Sequence, residues 1–261
     1  MDYKKLLQWH RAYNHTEEDL IKSEGFEQVL EDVVIAPWWE HDIFENHAKS
    51  IKKVGRKLYK IGGDNFQFSF IEMKNIGAPA IIEEILTLGV TKCKRLIFIG
   101  SAGAISDNIN IGDLALPTCS ISGVGVTRYL NENLEDDFEA SYSPDDELSN
   151  QILETIKKEQ LPVRCHHVKN YSVDTVFGQF PHIEHFKSIG CETIEMETST
   201  VFKCASLAGI KATAIFCISD NSLQHKSLIS GRSAEDKEKK NIAKTEFIPK
   251  IIISFFNKNC K

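Results

Sequence analysis

Apolar residues recur along the chain in short runs, and those runs carry two different periods. Runs at Asp32–Ala36, Phe66–Glu72, Arg95–Ile99, Asp113–Cys119, Val163–Lys169 and Lys211–Ile218 predict strands. Ile82, Ile85 and Leu86 share one face of a helix predicted over 78–88. Val201, Cys204, Ala205 and Ala208 fall at i, i+3, i+4 and i+7, with Gly209 where a helix commonly stops. Near the end, Ile248, Ile251, Ile252 and Phe255 form one stripe, which Pro249 is expected to break or kink. Strands alternating with helices indicate a three-layer α/β domain with a largely parallel or mixed sheet. No linker, composition shift or internal repeat divides the chain, and 261 residues suffice for one large core. A single domain is therefore expected over residues 26–261, behind a polar helical extension over residues 1–25.

The strand ends are the places to look for chemistry, because ligands in such sheets gather at carboxyl ends of strands. Leu96-Ile97-Phe98-Ile99 climbs into Gly100-Ser101-Ala102-Gly103-Ala104, which predicts a buried strand ending in a tight turn. Taken alone, that turn is either punctuation or a cradle of bare backbone amides. Tyr171–Asp174 and Ser219–Asn221 likewise follow strands directly, and Ile194–Glu197 joins a short strand to a helix.

Charge and cysteine usage narrow the classes. A formal charge of -6 argues against a nucleic-acid surface, which is normally basic. The run Lys237-Glu238-Lys239-Lys240 is balanced by acids and reads as a solvated helix face. The opening MDYKKLLQWHRAYN has no long apolar stretch, so no signal peptide is expected, and no later segment is expected to span a membrane. Seven scattered cysteines without a C-x-x-C pair fit reduced thiols in a cytoplasmic protein.

Several familiar motifs fail. Ser101 directly follows Gly100, so the segment is not the G-x-S-x-G nucleophile elbow. Gly123-Val124-Gly125-Val126-Thr127-Arg128 has arginine where a dinucleotide fingerprint needs its third glycine. His166, His167, His182 and His185 lack a cysteine or carboxylate set at ligand spacing, so no metal is expected.

Four pieces survive: Gly100-Ser101-Ala102-Gly103-Ala104, Ile111-Gly112-Asp113, Glu195-Met196-Glu197 and Ser219-Asp220-Asn221. In this order and spacing, over about residues 30–255, they resemble the nucleoside phosphorylase family. That family includes purine nucleoside phosphorylase, uridine phosphorylase and methylthioadenosine/S-adenosylhomocysteine nucleosidase. The resemblance implies one α/β domain whose central mixed, partly barrel-like sheet is flanked by helices, assembled as a dimer, trimer or hexamer. It implies cleavage of an N-glycosidic bond without a cofactor, with phosphate or water as nucleophile.

The resemblance also distributes roles. Ser101 and Gly103 would face the nucleophile's side of the ribose, where glycine permits close approach and the hydroxyl binds phosphate. Glu197 would accept the ribose hydroxyls and favour the oxocarbenium charge, with Met196 under the sugar and Glu195 as a lesser ligand. Asp220 would donate a proton to N7 of a purine, with burial raising its pKa. Tyr171 would stack on the base. Outside the family reading, Glu195 and Glu197 are ordinary acids at a helix start, Asp220 a capping residue, and Tyr171 a core aromatic.

The pattern departs from the phosphorylases at two cations. Ala36-Pro37-Trp38-Trp39-Glu40-His41-Asp42 stands where Gly-Asp-Pro-x-Arg is usual, and Phe98 replaces an arginine three residues before Ser101. Arg56 lies near the region where some phosphorylases lend an arginine across a dimer interface, so it is a second phosphate-binding candidate. Phe177-Gly178-Gln179 is similar to the uracil-reading loop of uridine phosphorylase, but shorter and without its arginine. Asp220 favours a purine. The expected reaction is phosphorolysis of a purine nucleoside, with water as rival nucleophile, a pyrimidine as rival base, and a non-catalytic nucleoside-binding module as the remaining reading.

Overall fold

The computed structural model describes residues 1–13, 16–135 and 137–258. Helices α1 (Tyr3–Tyr13) and α2 (Glu17–Glu24) come first. A capping box pairs Thr16 and Asp19 at the start of α2, and Gly25, with φ at 76°, ends it. Strands β1 (Asp32–Pro37), β2 (Ser50–Lys53), β3 (Leu58–Gly62) and β4 (Gln67–Met73) lead to helix α3 (Ala78–Leu88). Then follow β5 (Arg95–Ala104), β6 (Leu114–Gly123), β7 (Ser141–Tyr142), helix α4 (Asp146–Glu159) and β8 (Cys165–Val173). The remainder is α5 (Ile183–Ser188), β9 (Thr193–Glu195), α6 (Thr198–Ala208), β10 (Lys211–Asn221), α7 (Ala234–Ile242) and α8 (Ile248–Lys258).

The strands join one mixed sheet, and part of it closes. β5 pairs parallel with β10, β10 antiparallel with β6, β6 parallel with β8, β8 parallel with β9, and β9 antiparallel with β5. This circuit is the barrel-like part, and β1, β4, β3 and β2 extend from β5 as an open wing. Side-chain alternation along β5 builds the two flanking layers. Leu96, Phe98, Ala102 and Ala104 enter one core with Ile81 and Ile85 of α3 and Phe202 of α6. Ile97 and Ile99 enter the other, with Ile152 of α4 and Ile252 and Phe255 of α8. Each such fully buried Ile or Phe contributes about 1.5–3 kcal/mol, so both layers are anchored by strand alternation. Among the described residues no helix is long and apolar enough to cross a membrane.

Two local expectations change. Gly100–Ala104 is strand rather than turn, because β10 pairs with β5 from Lys211 opposite Arg95 to Asn221 opposite Ala104. Ser219–Asn221 is strand for the same reason, and Tyr171 lies inside β8. A register shift between Ile218 and Asp220 inserts one extra residue into β10. Near the end, Pro249 does not break the apolar stripe. It lies just after a π turn at Ala243–Phe247 that joins α8 to α7, where the helical hydrogen-bond ladder is already irregular.

Candidate active site

β5, β9 and β10 converge on a cavity of about 460 Å³. Ser101 and Gly103, two residues apart on β5, both face it, while Ala102 and Ala104 turn into the core. Ser101 Oγ lies 3.3 Å from the Sγ of Cys217, its pairing partner on β10.

Gly103 pairs with Asp220, which also lines the cavity and is 7% exposed. Asp220 Oδ1 accepts the Ser219 hydroxyl at 2.5 Å. Burial raises this carboxyl above its ordinary range, opposed by the Ser219 hydrogen bond and the charge of Arg232. Arg232 is fixed by donating to the carbonyls of Ser219 at 3.1 Å and Leu228 at 2.5 Å. The adjacent Asn221 is structural: its Nδ2 donates to the Ser106 and Ile109 carbonyls at 2.9 and 2.8 Å. Ile111-Gly112-Asp113 is structural as well. Gly112, with φ at 89°, donates its N–H to the Ile218 carbonyl, and Asp113 holds His166 at 2.9 Å.

The two glutamates divide their work. Glu195 Oε1 accepts from Asn170 Nδ2 at 2.7 Å and Ser172 Oγ at 2.5 Å. Its Oε2 accepts at 2.7 Å from the amides of Glu197 and Thr198 and from the Thr198 hydroxyl. Glu195 thus caps the start of α6 and locks β8 to β9, although its residue lies on the cavity wall. Glu197 stands at the N-cap position of α6 yet makes no side-chain cap hydrogen bond. Its carboxylate lines the cavity, with Oε1 accepting the Gly77 amide. Burial, then the negative charge of Glu195, push this carboxyl up to about 8, against the pull of the Gly77 and Met196 amides. Met196 joins the same wall.

Two expected site residues lie elsewhere. Tyr171 is 1% exposed and stacks on Phe186 with ring centroids 4.0 Å apart. Its ring also covers Gly123, where a Cβ would lie 2.3 Å away, so it belongs to a small core behind the cavity wall. Val173 and Val176 line the cavity instead, with Gln179 beside them. Arg56 is exposed beside Glu24, at 3.9 Å, and is not part of its own chain's cavity. Trp38 and Trp39, which stand where Gly-Asp-Pro-x-Arg is usual, line the cavity, and so do Arg232, Lys240 and Lys244, which no sequence motif marks as site residues. Lys240 corrects the reading of its charge run as wholly solvated; Lys237, Glu238 and Lys239 are exposed, but Lys240 turns inward.

Comparison with known proteins agrees with this architecture. The model of the phosphorylase superfamily matches residues 53–253. A DeoD-type purine nucleoside phosphorylase of Bacillus velezensis is 29% identical over 132 residues, covering 50% of this chain and 53% of that protein. The chain thus matches about half the length of that relative. Purine nucleoside phosphorylase from Toxoplasma gondii, in complex with immucillin-H, superposes with a TM-score of 0.72 at 19% identity, covering 89% and 92% of the chains. The 5'-methylthioadenosine/S-adenosyl homocysteine nucleosidase of Campylobacter jejuni gives 0.69 at 17% identity, covering 88% and 100%. At these identities the two structures speak to the fold, and the closed mixed sheet between helix layers is theirs too. With the family model covering most of its length, this chain belongs to the phosphorylase superfamily.

Proposed function

We propose that the chain cleaves the N-glycosidic bond of a purine nucleoside by phosphorolysis, giving the free base and ribose 1-phosphate. The observation carrying this reading is that Glu197, Asp220 and Ser101 line one cavity while arriving from three different strand ends. Bond cleavage leaves positive charge on the ribose and an electron pair on the base. Glu197, whose carboxylate is not consumed by helix capping, accepts the ribose hydroxyls and opposes the growing cationic charge. Asp220, whose proton affinity burial raises, is the group that donates a proton to N7 as the C1′–N9 bond breaks. Ser219 holds Oδ1 of Asp220, which leaves Oδ2 as the oxygen to carry that proton. Ser101 positions the nucleophile, and a phosphate oxygen forms the new bond to C1′ on the face opposite the departing base. Phosphate is then a co-substrate, and no cofactor takes part. Arg56 retains a role only if a second copy brings it to a neighbouring cavity, so the reading fits a homo-oligomer.

Hydrolysis is the second reading, and Phe98 favours it. An aromatic ring on the wall beside Ser101 offers an oxyanion no charge. Release of base from inosine and adenosine, with and without inorganic phosphate, separates the two. Phosphorolysis requires phosphate-dependent release and ribose 1-phosphate as product. Equal release in phosphate-free buffer, with free ribose as product, installs the nucleosidase, and tight nucleoside binding without release installs a binding module.

A further inference from the structure

We infer that two lysines of the C-terminal helical segment, Lys240 and Lys244, form the cationic grip on the phosphate nucleophile, in the place that arginines would otherwise fill. The inference rests on the phosphorolytic reading and adds residues to it. Both lysines line the cavity together with Ser101, Phe98, Trp38 and Trp39. Lys240 lies in the last turn of α7 and Lys244 in the π turn that follows. Four residues apart, they project from one face of the segment. π turns inserted between α-helices are frequent at functional sites.

Among the described residues neither ammonium sits in an ion pair. Among the described residues Lys240 makes no ion pair or hydrogen bond, although it is half-buried. Lys244 Nζ lies 3.4 Å from the Trp38 carbonyl and 5.2 Å from the Trp39 ring, with no carboxylate in contact. Burial and then the charge of Lys240 lower the Lys244 pKa, while Cys217, Asp42 and Glu40 act in the other direction. Both lysines also act on the buried Cys217 thiol, which is in contact with Ser101. Two cationic side chains that line the same cavity as the Ser101 hydroxyl suit an anionic substrate.

The backbone is shaped for this arrangement. Trp38 adopts φ of 57°, a left-handed conformation that costs a bulky residue free energy. It is held there by its amide, which donates to Met73 at 2.8 Å, and by its indole, which donates to Lys74 at 2.7 Å. The same conformation presents the Trp38 carbonyl to Lys244. The tryptophans that replace the expected Gly-Asp-Pro-x-Arg thus seat a cation from elsewhere in the chain. A lysine is a compact point charge rather than a bidentate fork, so two lysines with Ser101 replace the geometry an arginine would supply alone.

The test uses the full chain and inorganic phosphate. Lys240→Gln, Lys244→Gln and the charge-preserving Lys244→Arg are compared for phosphate KM, nucleoside KM and direct phosphate binding by calorimetry. Each Gln variant should raise the phosphate KM and weaken phosphate binding by about 10- to 100-fold, the range of a lost charge-assisted hydrogen bond. Nucleoside KM should change less than threefold, and Lys244→Arg should recover most of the phosphate affinity. Should Lys244→Gln misfold, Lys240→Gln, at the half-exposed position, decides alone. Phosphate binding unchanged in the Gln variants, or nucleoside and phosphate affinity falling together, overturns the lysine grip while leaving phosphorolysis intact. A wild-type protein that does not bind phosphate overturns both.

Discussion

Asp220 lies so close over Gly103 that a Cβ on residue 103 would sit 2.9 Å from its Oδ2. The glycine therefore fixes where the proposed acid can stand. Gly103→Ala should push the carboxylate aside at little cost to the fold, because the displaced atom is the free end of a side chain. A 1 Å misplacement at a reacting group can cost about 10²-fold in rate, which sets the upper bound for this smaller shift. Purine release should fall by about 10-fold and by no more than about 10²-fold, while the melting temperature changes by only a few degrees. Wild-type turnover in Gly103→Ala would mean that Asp220 does not need this position.

Asp220→Asn tests the proton itself. Asparagine keeps the shape and donates a hydrogen bond but cannot give up a proton. General-acid help typically contributes about 10²–10⁴-fold, so inosine or adenosine cleavage should slow within that range. A nitrophenyl riboside, whose leaving group needs no protonation, should be spared. Equal losses on both substrates in a folded variant, or no loss on purines, would remove Asp220 from the acid's role and favour a pyrimidine base.

How far the sequence carried depended on whether a residue's partners are near it in the chain. The helix over 78–88 and the core strands were legible, because alternation and helical spacing are local. The motif residues Ser101, Gly103, Glu195, Met196, Glu197 and Asp220 do share one cavity. Gly100–Ala104 looked like a turn because glycines read as punctuation, whereas pairing with β10, over 100 residues away, keeps it extended. Tyr171 was misplaced because the Phe186 ring and Gly123 that receive it are visible only after folding. Lys240 was hidden inside a balanced charge run, since nothing local distinguishes the one lysine that turns inward.

Glu195 should prove a structural residue. Its two oxygens accept five hydrogen bonds, from Asn170, Ser172, the amides of Glu197 and Thr198, and the Thr198 hydroxyl. Glu195→Gln turns an NH2 group toward donors on one side, leaving two or three of them unsatisfied. At about 1–3 kcal/mol for each buried donor, partly relieved by relaxation, the loss should be about 2–5 kcal/mol. Urea unfolding measures it. A variant of wild-type stability with altered nucleoside affinity would instead make Glu195 a ligand.

Glu197 is the group whose titration should be visible in both activity and stability. Its carboxyl is raised from 4.5 to about 8, first by burial and second by the charge of Glu195. Only the ionised form can accept two ribose hydroxyls and oppose the oxocarbenium charge. Because kcat/KM reports the free enzyme, it should rise with pH through about 8. Stability runs the other way. The folded state binds this proton more tightly than the unfolded chain, so the stabilisation is complete below about 4.5 and is lost as pH rises through about 8. Glu197→Gln removes both dependences. Its unfolding free energy should lack the wild-type decline across that window, and kcat should collapse at every pH with KM changed far less. Gln retains an oxygen for the Gly77 amide, so the comparison is made on an intact fold. If the variant's stability falls with the wild-type slope, another group titrates there. If kcat stays near wild type and only KM rises, Glu197 binds the ribose without stabilising the transition state.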